Sequence, residues 1–403
     1  MRLPLLSCST SILLALPASA PAQAPLLVPQ QFPDIGAAVQ AATPGAVIVV
    51  SAQVQPQPPF VIDRPVTIVG QGIEHDAPTV VAASGIGIEV RLAPGERVVL
   101  SRIDVVGARG TALVRGIVQR GGLLTLEDCR ISCSDDPSFS SLPCAVEVTN
   151  GELALHFSRL LSGRGVPALR AQSARVAASA TRFFGGGAGV DSVTLQDSDG
   201  HFSDCWILGG EDFFGTPGGA AMRTQGNARA WLVGCDLRGG VGTPGASGLI
   251  NATANAVELS RTSIVGGAHL SASGAAPAVS GATFANGDLL ALRWNEPPYR
   301  RGSLQLGQVF ALHLESRAFT PVLLLTSLAP HATNDLFTRE PALALTEVAA
   351  LFSLVTNAGG LASLYGAVPR DPAFVGATLW AQGAGVGALG IEVSPLAGAT
   401  VRP

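Results

Sequence analysis

FSDCWILGG at residues 202–210 is followed by LVGCDLRGG at 232–240 and LSRTSIVGG at 259–267. It is preceded by ASATRFFGG at 178–186, LHFSRLLSG at 155–163, LEDCRISC at 126–133 and VVLSRIDVVG at 98–107. All seven are one short phrase: an apolar residue, two or three polar ones, a small residue, an outward residue and a large apolar anchor. The anchors Ile103, Ile131, Leu160, Phe183, Ile207, Leu237 and Ile264 are separated by 28, 29, 23, 24, 30 and 27 residues. A phrase recurring every 20 to 30 residues or so, with filler of variable length, is the mark of a stacked solenoid. The phrase is strand-like, which predicts a β-helix.

Numbering each copy from its anchor, positions −5, −2 and 0 are apolar or small and are expected inward. Positions −6 and −1 then face outward on either side of a bend. Because successive coils lie about 4.8 Å apart, residues of one register form a column. The −1 column reads Arg102, Arg130, Arg159, Arg182, Trp206, Asp236 and Ser263, and the −6 column places His201 beside Trp231. The small slot is read as Ser101, Ser158, Thr181, Cys205, Cys235 and Thr262, a stack of small buried side chains.

The segment before the repeats, FPDIGAAVQAA at 32–42, has Asp34 as a helix cap and Ile35, Val39 and Ala42 on one face. A short amphipathic helix there would cover the open end of the solenoid. AVIVVSAQV and FVIDRPVTIVGQG follow as strands. The order FPDIGAAVQAATPGAVIVV…FVIDRPVTIVGQG resembles the opening of secreted right-handed parallel β-helix proteins of the pectin-lyase-like superfamily. This chain keeps the Pro-Gly, the valines and the Ile-Val-Gly, and has Ser51-Ala52-Gln53-Val54 where those proteins carry Gly-x-Tyr. The resemblance covers roughly residues 30 to 285. It implies a fold and no particular activity, because the superfamily holds lyases, hydrolases, epimerases and inert surface proteins.

Residues 286–302 (NGDLLALRWNEPPYRRG) read as a linker. From Ser303 the periodicity changes to alternating or buried strands that suit a small β-sandwich. The ending PRDPAFVG…WAQ at 369–382 resembles C-terminal β-domains of secreted proteins of planctomycete-type bacteria, which implies a terminal accessory domain. The expected fold class is therefore all-β. An export segment (1–24) precedes a right-handed parallel β-helix with an N-terminal helical cap (25–285), a linker and a β-sandwich-like domain (303–403).

The export reading of residues 1–24 rests on Arg2, an apolar stretch and small residues at Ala18-Ser19-Ala20 and Ala22-Gln23-Ala24. A lipid anchor at Cys8 has too little apolar chain before it. No later run is long enough to span a bilayer, so the expected location is extracellular or in the cell envelope. An oxidising compartment makes a disulfide between Cys133 and Cys144 an expectation, since the pair brackets a polar loop. No CxxC or HxxxH spacing occurs, so no metal is implied by the cysteines and histidines.

All 25 basic residues are arginine and the net charge is −4, which argues against nonspecific nucleic-acid binding. Charge is segregated: residues 97–182 carry 11 arginines against 7 acids, a net +4, and residues 183–260 carry 3 against 8, a net −5. The basic half suggests an arginine ladder for the carboxylates or sulfates of an acidic polysaccharide. Arg102, Arg130, Arg159 and Arg182 would form it, with Trp206 as a stacking platform and Trp231 nearby. The plain alternative is solvated arginines, partly paired with Glu127 and Asp128.

The acidic half holds the candidates for chemistry: Asp197, Asp199, His201, Asp204, Glu211 and Asp212. A glycoside hydrolase needs two suitably spaced carboxylates. A polysaccharide lyase needs a base and a cation facing the developing enolate. Arg182 and His201 with Asp199 and Asp204 are the weak catalytic set, and Asp197 and Asp199 the only oxygen ligands suggested for calcium. The polygalacturonase motifs Asn-Thr-Asp, Gly-His-Gly and Arg-Ile-Lys are missing, and a chain without lysine has no lyase lysine. The remaining histidines, His156 among them, read as surface or core polar residues. Asn251-Ala252-Thr253 is a formal glycosylation sequon, and Gly185-Gly186-Gly187 is followed by no helix pattern, unlike a phosphate cradle. The leading expectation is a non-catalytic surface protein binding acidic polysaccharide, against a lyase or hydrolase and against a purely structural repeat. The sequence sets no oligomeric state.

Overall fold

A computed structural model describes residues 24–402, apart from 53–55, 72–76, 83–84, 108–113, 133–143, 164, 188, 212–215, 256, 261, 269–278, 282–283, 287–290, 295–303, 306, 316–318, 320, 328–349, 359–360, 376, 388–389 and 394–396. The export segment and Cys133 lie outside these residues, as do Asp212 and most of the linker.

The repeats wind into a parallel β-solenoid. Among the described residues its wall consists of three sheets of eleven, eight and nine strands, designated A, B and C, in which the strands of successive coils are neighbours. Every pairing within them is parallel. Each phrase supplies the end of a sheet A strand, a two-residue bend and a sheet B strand, as in Asp199–Ser203 followed by Trp206–Leu208. The first bend residue is in the left-handed region: Arg102, Asp128, Phe157, Ala180 and Asp204 have φ of 55°, 51°, 52°, 47° and 53°. A turn this sharp forces that conformation even on side chains that disfavour it.

The second bend residue points inward. Here the register corrects the sequence reading of the first copy. Asp104 pairs with Arg130 and Val105 with Ile131, so Val105 is the true anchor and Ile103 fills the small slot. The slot therefore reads Ile103, Cys129, Ser158, Thr181, Cys205, Cys235, Thr262, and Ser101 belongs to sheet A, paired with Glu127. Its hydroxyls and thiols tie coil to coil. Ser158 Oγ donates to Leu126 O at 3.2 Å, Cys235 Sγ to Phe202 O at 3.3 Å, and Thr262 Oγ1 to Leu232 O at 3.0 Å. Burial pushes the thiols of Cys129 and Cys205 up, so they stay protonated donors.

The helix spans Ile35–Ala41, with Asp34 Oδ1 accepting from Ala37 N at 2.7 Å, and Ile35, Ala38 and Val39 join the solenoid core. One strand absent from the sequence reading, Leu26–Val28, pairs with Ala46–Val50 and forms the edge of sheet A. No described helix is long and apolar enough to cross a membrane.

The C-terminal part is two small sheets, mainly antiparallel, whose inward residues Leu312, Leu314, Val322, Leu324, Leu379 and Val401 share one apolar cluster. Ala291–Trp294, in the segment read as linker, pairs antiparallel with Val309–Glu315. Phe157 also belongs to that cluster, with Ala180 against it, and the strand Glu152–His156 contacts Ala397–Arg402. The C-terminal unit thus rests on the solenoid at the bend beside sheet A. Val69, Val99, Thr125, Ala154, Ala177 and Trp231 are buried although their positions face away from the solenoid core.

Candidate functional site: an arginine and aromatic strip on sheet B

Sheet B strands are three or four residues long, so each presents one or two outward side chains per coil. The first outward column is Asp104, Arg130, Arg159, Arg182, Trp206, Asp236 and Ser263. The second contains Ser132, Leu161, Phe184, Leu208 and Arg238. Three guanidinium groups therefore stand in consecutive coils, and Arg130, Arg159 and Arg182 are all exposed.

Bare guanidinium groups one coil apart would repel. Aromatic rings hold two of them apart. Arg159 Cζ lies 4.9 Å from the centroid of the Phe184 ring, and Arg182 Cζ lies 5.8 Å from that of Trp206. The rings brace each other edge to face, 5.3 Å apart at 77°. Contact with an aromatic face steadies a planar cation while leaving its outer N–H donors to solvent or a ligand. No described carboxylate pairs with Arg130 or Arg182, whereas Asp236 at the far end is held by Arg238 at 2.8 Å. Trp206 is half-buried, and its indole Nε1 is buried with no acceptor among the described residues. Its face is turned to Arg182, so it works as a shelf for the guanidinium more than as a bare sugar platform. Phe184 lies outside the −1 column, and the doubled aromatic in RFFGG is the signal for it in the sequence.

Two members of the proposed ligand set are elsewhere. Arg102 is a bend residue, and its Nε pairs with Asp128 Oδ2 at 3.2 Å across neighbouring bends. The ladder thus begins with Asp104, not Arg102, because the first copy was read two residues out of register. Trp231 is on sheet A, 7% exposed, and stacks on His201 with centroids 4.3 Å apart.

The residues proposed for chemistry come near one another but are occupied. Burial and the positive charge of Arg229 push the His201 imidazole down to about 3. Asp199 takes a two-pronged contact from Arg229, at 2.8 and 2.5 Å. Asp197 Oδ1 accepts from Asn227 N of the next coil at 2.9 Å, and Asp204 is the left-handed bend residue of its coil. No cluster of three metal-ligating side chains occurs among the described residues. Cys144 is buried, and its expected partner Cys133 lies outside the described residues. Asn251 is buried, accepting from Thr224 Oγ1 at 2.7 Å and donating to Asn255 O at 2.9 Å, so the sequon is spent on the fold.

No family model matches the chain, and no curated protein matches it. Among solved structures it is similar to full-length tailspike protein 2 from Escherichia coli O157:H7 bacteriophage CAB120. The TM-score is 0.32 at 10% identity, covering 87% of this chain and 62% of that one. It is also similar to the enzymatically active domain of bacteriophage CBA120 tailspike protein 2, at TM-score 0.31 and 10% identity, covering 87% and 69%. The chain spans less than two thirds of the full-length tailspike, and a likeness at this level transfers neither activity nor ligand.

Proposed function

We propose that this is a secreted or cell-envelope protein that binds an acidic polysaccharide, without turning it over, along the sheet B strip. The observation that carries the reading is the run Arg130, Arg159, Arg182 in consecutive coils, with two of the three guanidinium groups seated on Phe184 and Trp206. A linear polyanion laid parallel to the solenoid axis meets one cation per coil, and the overall charge of −4 disfavours nucleic acid as the partner. The lyase or hydrolase alternative has less support, because Asp199 is engaged by Arg229 and His201 is held neutral against Trp231.

Retention on immobilised polyuronate or sulfated glycan at low salt tests this. Each exposed arginine is expected to contribute about 1 kcal/mol, roughly a fivefold change in affinity, so the triple variant Arg130→Ala/Arg159→Ala/Arg182→Ala should lose about a hundredfold. Binding should also weaken steeply with added salt. Arg102→Ala, off the strip, should bind as the parent does. Equal retention of triple variant and parent defeats the reading, as does an equal loss in Arg102→Ala.

A further inference from the structure

A second row of polar side chains crosses the outward side of sheet A. Ser101, Glu127, His156, Ser179 and Ser203 share one register position in five consecutive coils. Side chains of one row in a parallel sheet stand about 4.8 Å apart, close enough for each to reach the next. Glu127 and His156 are each 1% exposed, whereas Ser179 is half-buried. His156 Nδ1 and Ser179 Oγ are 2.7 Å apart, a short hydrogen bond between imidazole and hydroxyl. Imidazole and hydroxyl are thus joined along the row, the pairing that a nucleophilic serine and its base require.

The surroundings favour this use of the row. Phe157, next to His156, packs into the apolar cluster of the C-terminal unit, so the row runs along the seam between the two parts of the chain. Seams of this kind concentrate small-molecule sites. Ser179 is flanked by Ala177 on its own strand, by Ala154 one coil back and by the bend residue Ala180. Nothing larger than a methyl group crowds it from those three positions. Burial pushes the His156 imidazole down to about 4, so its ring is neutral at neutral pH and carries one unprotonated nitrogen.

We propose that Ser179 is a catalytic nucleophile for esters of small acyl groups, with His156 as its general base. Ser179 Oγ attacks the ester carbonyl carbon as its proton passes to His156 Nδ1. The tetrahedral adduct collapses, the carbon–oxygen bond to the alcohol breaks, and His156 returns the proton to the departing oxygen. Water, deprotonated by the same nitrogen, then attacks the acyl carbon and releases the acid, and Ser179 Oγ recovers its proton.

The test treats the full chain with a fluorophosphonate probe and maps the adduct by peptide mass spectrometry. The expected result is an adduct on Ser179 that is absent from Ser179→Ala and reduced at least tenfold in His156→Gln. With p-nitrophenyl acetate, an initial burst of one nitrophenolate per chain should appear. Its acid limb should fall near pH 4, where an ordinary histidine would place it near 6.5. Ser179→Ala removes only a half-buried hydroxyl, and its unchanged circular dichroism would show that lost labelling is not lost folding. No adduct on Ser179, an adduct only on another serine, or equal labelling in His156→Gln overturns the proposal.

Discussion

Gly210→Ala is expected to cost this fold about 3 kcal/mol or more, through the corner that joins sheet B to sheet C. At that corner the coils touch backbone to backbone. A Cβ on Gly210 would sit 1.7 Å from Gly186 O, one on Gly219 1.8 Å from Val190 O, and one on Gly240 2.0 Å from Gly210 O. These neighbours are backbone carbonyls, not flexible side-chain ends. Gly219 N donates to Gly210 O and Gly240 N to Gly219 O, both at 2.8 Å, and Gly267 N donates to Ala246 O at 2.7 Å. Room for a methyl group at one layer must come from moving the next, which is why the cost should exceed that of ordinary overpacking. Gly165→Ala is the control. Its φ is +79° and nothing lies within 4 Å of the added methyl, so only backbone strain of roughly 1–2 kcal/mol is expected. Urea unfolding followed by circular dichroism compares the two. Equal midpoints for Gly210→Ala and Gly165→Ala would show that the corner relaxes, against the packing argument.

Those glycines also show what was legible in the sequence. The pairs in LGG, RGG and VGG are visible as part of the phrase. Their role is close approach, and none of Gly209, Gly210, Gly219 or Gly240 is among the glycines with positive φ. Spacing along one chain announces that coils repeat, but how near one coil's loop comes to the next is a three-dimensional fact. The columns themselves were legible from Ile131 onward, because the inward and outward alternation of short strands is local. The first copy failed for a related reason: VVLSRIDVVG offers both Ile103 and Val105 as an anchor, and only pairing with Arg130 and Ile131 decides between them. Arg102 left the strip through that two-residue slip, while Arg130, Arg159 and Arg182 remained.

The face of sheet A was illegible for a deeper reason. Outward residues such as His201 and Trp231 looked like a surface because each strand alternates, and alternation assigns a side without telling what lies on it. The apolar character of the outward Val69, Val99, Ala154 and Ala177 was the signal that this side is covered. Sheet B lacks that signal: its outward residues include Arg130, Arg159, Arg182 and Asp236, and it carries the open strip.

The covered face carries the second large expectation, that lowering the pH from 7 to 4 destabilises the fold by about 3 kcal/mol through His156 alone. Burial holds this imidazole at about 4, against an ordinary 6.5 in the unfolded chain. Above pH 6.5 both states are neutral and stability is unaffected. Between pH 6.5 and 4 only the unfolded chain takes the proton, so acid pulls the equilibrium towards unfolding by roughly 1.4 kcal/mol per pH unit. Below 4 the folded state is protonated as well and the loss levels off. His201, pushed down to about 3, adds a loss of the same sign over the same range. Glu89 is held below the usual carboxylate range by Arg91 and Arg120, so its contribution is lost only at lower pH. Burial raises the Glu152 carboxyl, which works the other way and offsets part of the loss. Urea midpoints at pH 7, 5.5 and 4.5 for the parent and His156→Gln separate these terms. The parent should weaken steadily, and the variant should keep only the part due to His201 and the carboxylates. Parallel pH profiles for the two proteins would mean that His156 is hydrated in solution.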